Sequence, residues 1–123
     1  MKIINSKIHG FIDYTFVGLL WLAPMLLGLD EKAVLFSNIL GSIHLTLTVF
    51  TNFELGLFRF VPFKTHGLIE LIVPFLLIGV AIYLDNVENE MSRNYFLGVA
   101  VAVLLTWAMT DYKSFTDQKN SKA

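Results

Sequence analysis

The sequence predicts an all-α, polytopic membrane protein in which four transmembrane helices form a bundle of two parallel helical-hairpin repeats. Three observations lead to this fold class. Apolar side chains make up 55% of the 123 residues and only 15% are charged, whereas ordinary soluble domains carry about 25% charged residues. Four apolar runs approach the roughly 20 residues that cross a bilayer, and one polar motif occurs twice. We therefore expect a single transmembrane domain over residues 1–123.

The four apolar runs contain few ionisable side chains. Asp13 is the only acid of the first run, Glu70 is the only acid of the third, and the second carries no acid or base besides His44. The fourth run is shorter but continuously apolar. Because the runs are apolar all round, they differ from the amphipathic helices of soluble domains. The predicted spans are residues 8–29, 33–53, 66–84 and 95–110.

The charges of the short connections predict the orientation. Two basic side chains, Lys32 and Arg93, fall on one side of the predicted membrane, and seven fall on the side that holds both termini and the middle loop. Basic loops stay in the cytoplasm. The sequence therefore predicts a multi-pass protein of the cell (inner) membrane with both termini cytoplasmic. The seven basic residues are Lys2, Lys7, Arg59, Lys64, Lys113, Lys119 and Lys122.

The polar motif divides the chain into two copies. KIHGFID at residues 7–13 returns as KTHGLIE at residues 64–70, and TNFE at residues 51–54 returns as TDYK at residues 110–113. Each copy holds two spans, so both copies enter the membrane from the same side, as parallel repeats about an axis near the membrane normal. The copies cover about residues 7–56 and 64–115, and a short solvated tail is predicted at residues 116–123.

These segments resemble a known family. KIHGFIDYTFVGLLWLAPMLLGL at residues 7–29 and FTNFELGLFRFVPFKTHGLIELI at residues 50–72 are similar to the SPW-repeat integral membrane proteins, in which a His-Gly and acid start, a small-Pro-aromatic turn and a TDYELG-like hairpin end recur. The resemblance covers about residues 7–113. The SPW motif is degenerate here, reading Ala-Pro-Met at residues 23–25 and lacking proline in the second copy. The resemblance implies a small membrane protein without an assigned activity.

The repeated motif places a histidine and an acid on one helix face, twice. Residues four apart lie about 6 Å apart along a helix, so His9 can meet Asp13, and His66 can meet Glu70. An ionised carboxylate costs several kcal/mol to bury unless it is paired, so both acids are expected to face the bundle interior. His44 lies at a similar depth on the second span. The sequence therefore predicts one polar intramembrane cluster as the candidate binding site.

Two glycines and two prolines in the predicted spans are expected to have structural roles. Gly10 and Gly67 follow the two histidines and are predicted to let the first and third helices pack closely. Pro24 and Pro74 lie inside predicted helices, where each frees a carbonyl group. Serine, threonine and neighbouring groups are expected to satisfy these carbonyls.

The sequence favours a structural or interaction module with no enzymatic activity and no cofactor, working with the lipid bilayer and with a second copy or another membrane protein. Proton- or ion-coupled transport is one alternative, with Asp13, Glu70 and His44 as carriers. Metal or haem binding is another, with His9, His66 and His44 as candidate ligands. The chain has no cysteine, no phosphate-binding loop and no basic patch for nucleic acid.

Overall fold

The structure is a computed structural model that describes residues 2–113 and contains four α-helices within them. The all-α prediction is confirmed, and each of these helices is long and apolar enough to cross a membrane. The predicted tail, residues 116–123, lies outside the described residues. The helices are α1 (Ser6–Leu26), α2 (Glu31–Val49), α3 (Phe63–Val87) and α4 (Glu90–Met109).

Two helices begin earlier in the chain than the predicted spans, because polar side chains cap their N-termini. α1 begins two residues early, because Asn5 accepts a hydrogen bond from the amide of Ile8 at 2.9 Å. α4 begins five residues early, because Asn89 accepts one from the amide of Ser92 at 2.9 Å. Asparagine is a favoured N-cap residue because its side chain satisfies amides that lack helical partners. The apolar runs alone did not contain this information.

Two short backbone connections join the hairpins at the end where α1 and α3 begin. β1 (Thr51–Asn52), after α2, pairs in parallel with β2 (Val61–Pro62), before α3. Ile4, before α1, forms a parallel bridge with Thr110, after α4. The amide of Ile4 also donates to the carbonyl of Met109 at 2.9 Å. Each of α1 and α3 therefore begins beside the segment that ends the other hairpin.

The apolar core lies toward the opposite end of the bundle, where α1 turns into α2 and α3 into α4. Leu20, Leu84 and Phe96 are at most 2% exposed there. Other large apolar side chains point outward, such as Leu26 at 84% and Phe75 at 62% exposed. An apolar outer surface on helices of this length suits lipid, where helices satisfy their own backbone hydrogen bonds.

Glu88 joins the two hairpins at this far end. Its carboxylate accepts hydrogen bonds from the amides of Lys32 at 2.6 Å and Ala33 at 3.1 Å, which open α2. It also accepts one from Ser92 Oγ at 3.0 Å. A carboxylate at a helix N-terminus satisfies free amides and complements the helix dipole. Glu88 therefore caps a helix of the other hairpin.

Pro24 shows how a polar contact becomes necessary inside an apolar bundle. Proline has no amide hydrogen, so the carbonyl of Leu20, four residues earlier, loses its helical donor. Ser37 Oγ of α2 donates to that carbonyl at 2.6 Å, and Tyr95 Oη of α4 lies 2.7 Å from the same Oγ. The expectation that a hydroxyl satisfies the freed carbonyl is thus confirmed at Pro24.

Replacing Ser37 with alanine is expected to lower the free energy of unfolding by about 1 to 3 kcal/mol, because the Leu20 carbonyl is then buried without a partner. Ser42→Ala is the matched control, since Ser42 is exposed and bonds only the Asn38 carbonyl of its own helix, at 3.0 Å. Unfolding in mixed detergent micelles measures both. Equal losses for the two variants would contradict this role for Ser37.

Candidate metal centre

The two histidine-acid pairs form one cluster. His9 is the fourth residue of α1 and His66 the fourth of α3, and both are fully buried. The four-residue spacing brings His9 Nε2 to 3.2 Å from Asp13 Oδ2 and His66 Nε2 to 2.9 Å from Glu70 Oε1. The acids are only 2% and 3% exposed. The expectation that both face the bundle interior matches their burial.

Contacts between the pairs are nearly as short as contacts within them. His9 Nε2 lies 3.2 Å from Glu70 Oε1, and His66 Nε2 lies 3.2 Å from Asp13 Oδ2. One ligand atom from each of the four residues can be chosen so that all four lie within 4.8 Å of one another. Each imidazole therefore faces both carboxylates, and α1 and α3 contribute equally to a single site.

A threonine from the other hairpin fixes the orientation of each imidazole. Thr110 Oγ1 lies 2.8 Å from His9 Nδ1, and Thr51 Oγ1 lies 2.7 Å from His66 Nδ1. Each hydroxyl already donates its hydrogen to a carbonyl of the preceding helix, Thr110 to Thr106 of α4 at 2.5 Å and Thr51 to Leu47 of α2 at 2.6 Å. A hydroxyl has one hydrogen to donate, so each threonine accepts from Nδ1–H. In a neutral imidazole the Nε2 atom then carries a lone pair that points into the cluster.

The two acids are also held from outside. Tyr112 Oη donates to Glu70 Oε2 at 2.6 Å, and His44 Nε2 lies 3.3 Å from Asp13 Oδ1. Burial raises the pKa of the Tyr112 phenol, and the nearby Glu70 carboxylate raises it further, so Tyr112 remains a donor at physiological pH. Each of the four central residues therefore has one outer partner, which leaves one atom of each directed at the centre.

One of these central atoms has no hydrogen bond. Asp13 Oδ2 is buried and, among residues 2–113, accepts no hydrogen bond of acceptable geometry, although both Nε2 atoms lie 3.2 Å away. A buried carboxylate oxygen without a partner is costly. Both Nε2 atoms have hydrogen-bond geometry to Glu70 Oε1 instead, at 3.2 and 2.9 Å, so Asp13 is the acid that lacks a donor at the centre.

His44 belongs to the outside of the cluster, although the sequence groups it with the other candidate metal ligands. Its Nε2 reaches Asp13, its ring centroid is 6.2 Å from that of His66, and its side chain is 13% exposed. It is not among the four residues whose ligand atoms lie within 4.8 Å of one another. The geometry therefore gives His44 an orienting contact with Asp13 instead of a central position.

Gly10 and Gly67 accommodate aromatic rings, whereas the sequence predicts close packing of α1 against α3. A Cβ on Gly10 would collide with the ring of Phe53, and a Cβ on Gly67 would lie 2.8 Å from Cδ1 of Tyr112. Phe53 and Tyr112 occupy matching positions in TNFE and TDYK. The rings lie over the cluster, with the Tyr112 centroid 5.5 Å from that of His9. The glycines thus make room for the residues that close the site.

The central arrangement has the dimensions of a metal site. Four atoms have neighbours 2.9 to 3.2 Å apart, and ligand atoms of the four residues lie within 4.8 Å of one another. Metal–nitrogen and metal–oxygen bonds to zinc are about 2.0 to 2.2 Å long, so two ligands of one ion are at most about 4.4 Å apart and small inward movements would close the site on an ion. Two imidazoles and two carboxylates suit first-row divalent ions. The ligands that fit are His9, Asp13, His66 and Glu70.

The sequence predicted a polar stripe with Thr51 on the second span and a packing or interface role for Tyr112, but it did not predict that Thr51, Thr110 and Tyr112 contact the histidine-acid pairs. The signal was present, because TNFE and TDYK repeat at residues 51–54 and 110–113. A repeated threonine at the end of each hairpin, together with a repeated histidine at each start, would have suggested these pairs. Which histidine meets which threonine depends on the packing of the hairpins, which the repeat does not encode.

No family model, curated protein or solved structure matches the chain. The resemblance to the SPW-repeat proteins therefore stays a prediction.

Proposed function

We propose that this is a multi-pass membrane protein that binds one divalent transition-metal ion through His9, Asp13, His66 and Glu70, and that the ion cross-links its two hairpins. The observation that carries the proposal is the convergence of four buried ligand atoms, each on a residue held by an outer partner. Such outer hydrogen bonds orient the ligands of metal sites. The proposal assigns no catalytic step to the site.

The two hairpins are, in this proposal, parallel repeats about an axis near the membrane normal. Support comes from matched contacts at positions that correspond in the sequence repeat. His9 bonds Thr110 as His66 bonds Thr51, and Ile4 pairs with Thr110 as Val61 pairs with Thr51. Two copies packed around a twofold axis are expected to make the same contacts with each other in this reciprocal way. The site would lie on this axis.

The distribution of basic residues supports a metal site near the cytoplasmic face of the cell (inner) membrane. The described segments before α1 and after α4 and the loop between α2 and α3 lie at the same end of the bundle as the cluster. Five of the seven Lys and Arg residues among residues 2–113 lie in these segments or in the first turns of α1 and α3. The positive-inside rule assigns such an end to the cytoplasm. The bilayer is then the surrounding partner, and association with a second copy or another membrane protein stays a prediction.

Charge balance favours a divalent ion. Two neutral imidazoles and two carboxylates carry a charge of −2, so a divalent ion makes the buried site neutral and avoids the large cost of a net charge in a low-dielectric interior. Imidazole nitrogen suits zinc, iron, copper or nickel better than calcium or magnesium, which prefer oxygen ligands. Since the chain has no cysteine, thiolate ligation is excluded.

A purely structural cluster is the main competing hypothesis. If both imidazoles carried a proton on Nε2, two imidazolium ions would pair with two carboxylates, and the site would also be neutral. In such an ion-paired cluster both Nε2–H groups would donate to Glu70 Oε1, at 3.2 and 2.9 Å, and Asp13 Oδ2 would stay without a donor. A central ion would contact both carboxylates, and the unbonded Asp13 Oδ2 supports the metal in this respect. The metal proposal keeps the linking role of the cluster and adds an ion to it.

Transport has less support. Beyond Asp13 and Glu70, the buried positions of α1 and α3 that the structure describes are apolar, including Val17, Leu20 and Leu77. An ion leaving the cluster toward the far side would therefore meet no continuous set of polar groups, and crossing hydrocarbon without them is costly.

The first test is the metal content of the purified protein. Protein in mild detergent, stripped with a chelator and titrated with Zn²⁺ or Co²⁺, is expected to bind one ion per chain. Bound Co²⁺ should give the visible absorption bands of nitrogen and oxygen ligation. A folded protein that binds no zinc, cobalt or ferrous iron would overturn the proposal and favour the purely ion-paired cluster.

Replacing the threonines tests the outer contacts. Thr51→Val keeps the shape of the side chain but removes the acceptor of His66 Nδ1–H, so metal affinity is expected to fall about 10- to 100-fold. Thr46→Val is the matched control, because Thr46 lies on the exposed face of α2 and bonds only the carbonyl of Ser42, at 2.9 Å. Competition titration against a metal indicator compares the variants. Equal affinities for T51V and T46V would contradict the orienting role.

A further inference from the structure

Two small voids adjoin the cluster on the side that leads into the bundle. The smaller, of about 10 Å³, is lined by Asp13, His44 and Glu70 together with residues of α1 and α4. The larger, of about 50 Å³, is also lined by His44 and Glu70. Both volumes count only the space that the centre of a water-sized sphere can occupy, and on that measure a water molecule needs about 10 to 15 Å³. The smaller void therefore holds one water-sized ligand, and the larger has room for a few atoms more.

The voids lie on the side of the carboxylates. Among the described residues, neither His9 nor His66 lines either void. An ion held by both imidazoles and both carboxylates therefore has its unprotected side toward the smaller void. Metal sites that bind small molecules have a free coordination position, whereas purely structural sites are closed. A first-row ion held by four protein ligands can take a small molecule by expanding to five-coordinate.

The larger void is almost entirely apolar. Besides His44 and Glu70, it is lined by side chains of all four helices: Phe16, Leu20, Leu40, Ile43, Leu47, Ile69, Val73 and Val103. A charged or strongly hydrated ligand would lose its bound water in such a space, and the apolar lining would offer no hydrogen bonds in exchange. Its size and lining together select a small, neutral, apolar ligand.

We infer that the void of about 50 Å³ admits a neutral diatomic molecule of the dioxygen, nitric oxide and carbon monoxide class to the open side of the bound metal. This inference rests on the proposed metal site. Apolar gases dissolve in hydrocarbon, so a void inside a membrane bundle receives them directly from the bilayer. Only reversible binding is inferred.

The test uses the protein loaded anaerobically with ferrous iron and then exposed to nitric oxide. Iron per chain is measured first, and the electron paramagnetic resonance signal of the ferrous nitrosyl is measured second. We expect one iron and one nitrosyl per chain. Iron binding without a nitrosyl signal would overturn this inference but leave the proposed function standing, whereas absence of any metal would overturn both. Binding of zinc but not ferrous iron would overturn the inference alone.

Two phenylalanine substitutions on α4 supply the matched comparison. Val103 lines both voids, whereas Val101 is 57% exposed and points away from the bundle. V103F is expected to keep its iron and to bind nitric oxide at least tenfold more weakly than the native protein. V101F should bind it unchanged. Equal nitric oxide binding by V103F and V101F, with iron retained, would overturn the inference.

A second pair of variants on α2 covers the case in which V103F fails to fold or to take up iron. Leu40 lines only the larger void, and its neighbour Ile39 is 47% exposed. L40F is expected to reduce nitric oxide binding as V103F does, and I39F should not. Full nitric oxide binding by iron-loaded L40F would exclude the larger void as the route.

Discussion

Asp13→Asn is expected to weaken metal binding by about 100-fold or more. The change removes one of the two carboxylates that balance the ion, so the bound site would carry a buried net charge. Removing one member of a buried charge pair costs about 3 to 5 kcal/mol, and each 1.4 kcal/mol is tenfold in affinity. Asp13 Oδ2 contacts both Nε2 atoms at 3.2 Å, so asparagine would also disturb both imidazoles.

Asp111→Asn is the matched control for this prediction. Asp111 lies at the same end of the bundle, and its Oδ1 accepts a hydrogen bond from the amide of Lys113 at 3.0 Å, outside the cluster. Calorimetric or indicator titration with Zn²⁺ should show a loss for D13N alone. A D13N protein that is less stable yet binds zinc as tightly as D111N would contradict ligation by Asp13.

Gly56→Ala is expected to produce the largest loss of stability, about 3 kcal/mol or more, because the added methyl group has no space. A Cβ at Gly56 would collide with the carbonyl oxygen of Thr51 and lie 3.0 Å from its carbonyl carbon. Backbone atoms cannot move aside as a flexible side chain can. Thr51 also orients His66, so the same change should lower metal affinity.

Gly79→Ala is the control for this substitution. Gly79 lies within α3, and a Cβ there would meet nothing within 4 Å. Alanine is the better helix former, so G79A should unfold like the native protein or at slightly higher denaturant. Detergent unfolding and metal titration measure both effects. If G56A were as stable as G79A, the loop after α2 would not hold Thr51 in the way described.

The parts of the fold that depend on local sequence were predictable. Apolar run length locates the spans, and four-residue spacing brings His9 to Asp13 and His66 to Glu70. Contacts between distant segments were not predictable in this way. His9 and Thr110 are 101 positions apart, and no spacing rule states which helix faces meet. The sequence predicted the residue types of the site, and packing determined that they form one site.

The chemical role of the site was harder to predict than the residues that form it. Whether a histidine acts as a donor or a metal ligand depends on which nitrogen carries the hydrogen, and here Thr51 and Thr110 determine that. A threonine near the end of a membrane helix ordinarily bonds its own backbone. Its second contact, with an imidazole, becomes evident only when both hairpins are in place.

The exchange of contacts between hairpins has a consequence for biosynthesis. His9 and Asp13 are translated and inserted early, whereas Thr110 and Tyr112 leave the ribosome about a hundred residues later. Until then the first hairpin holds a buried imidazole and a carboxylate that lack their final neighbours. The second hairpin has to dock before the site is complete. If the protein binds a metal as proposed, the ion is therefore acquired after these residues are translated, and a truncated chain is expected to retain no ion.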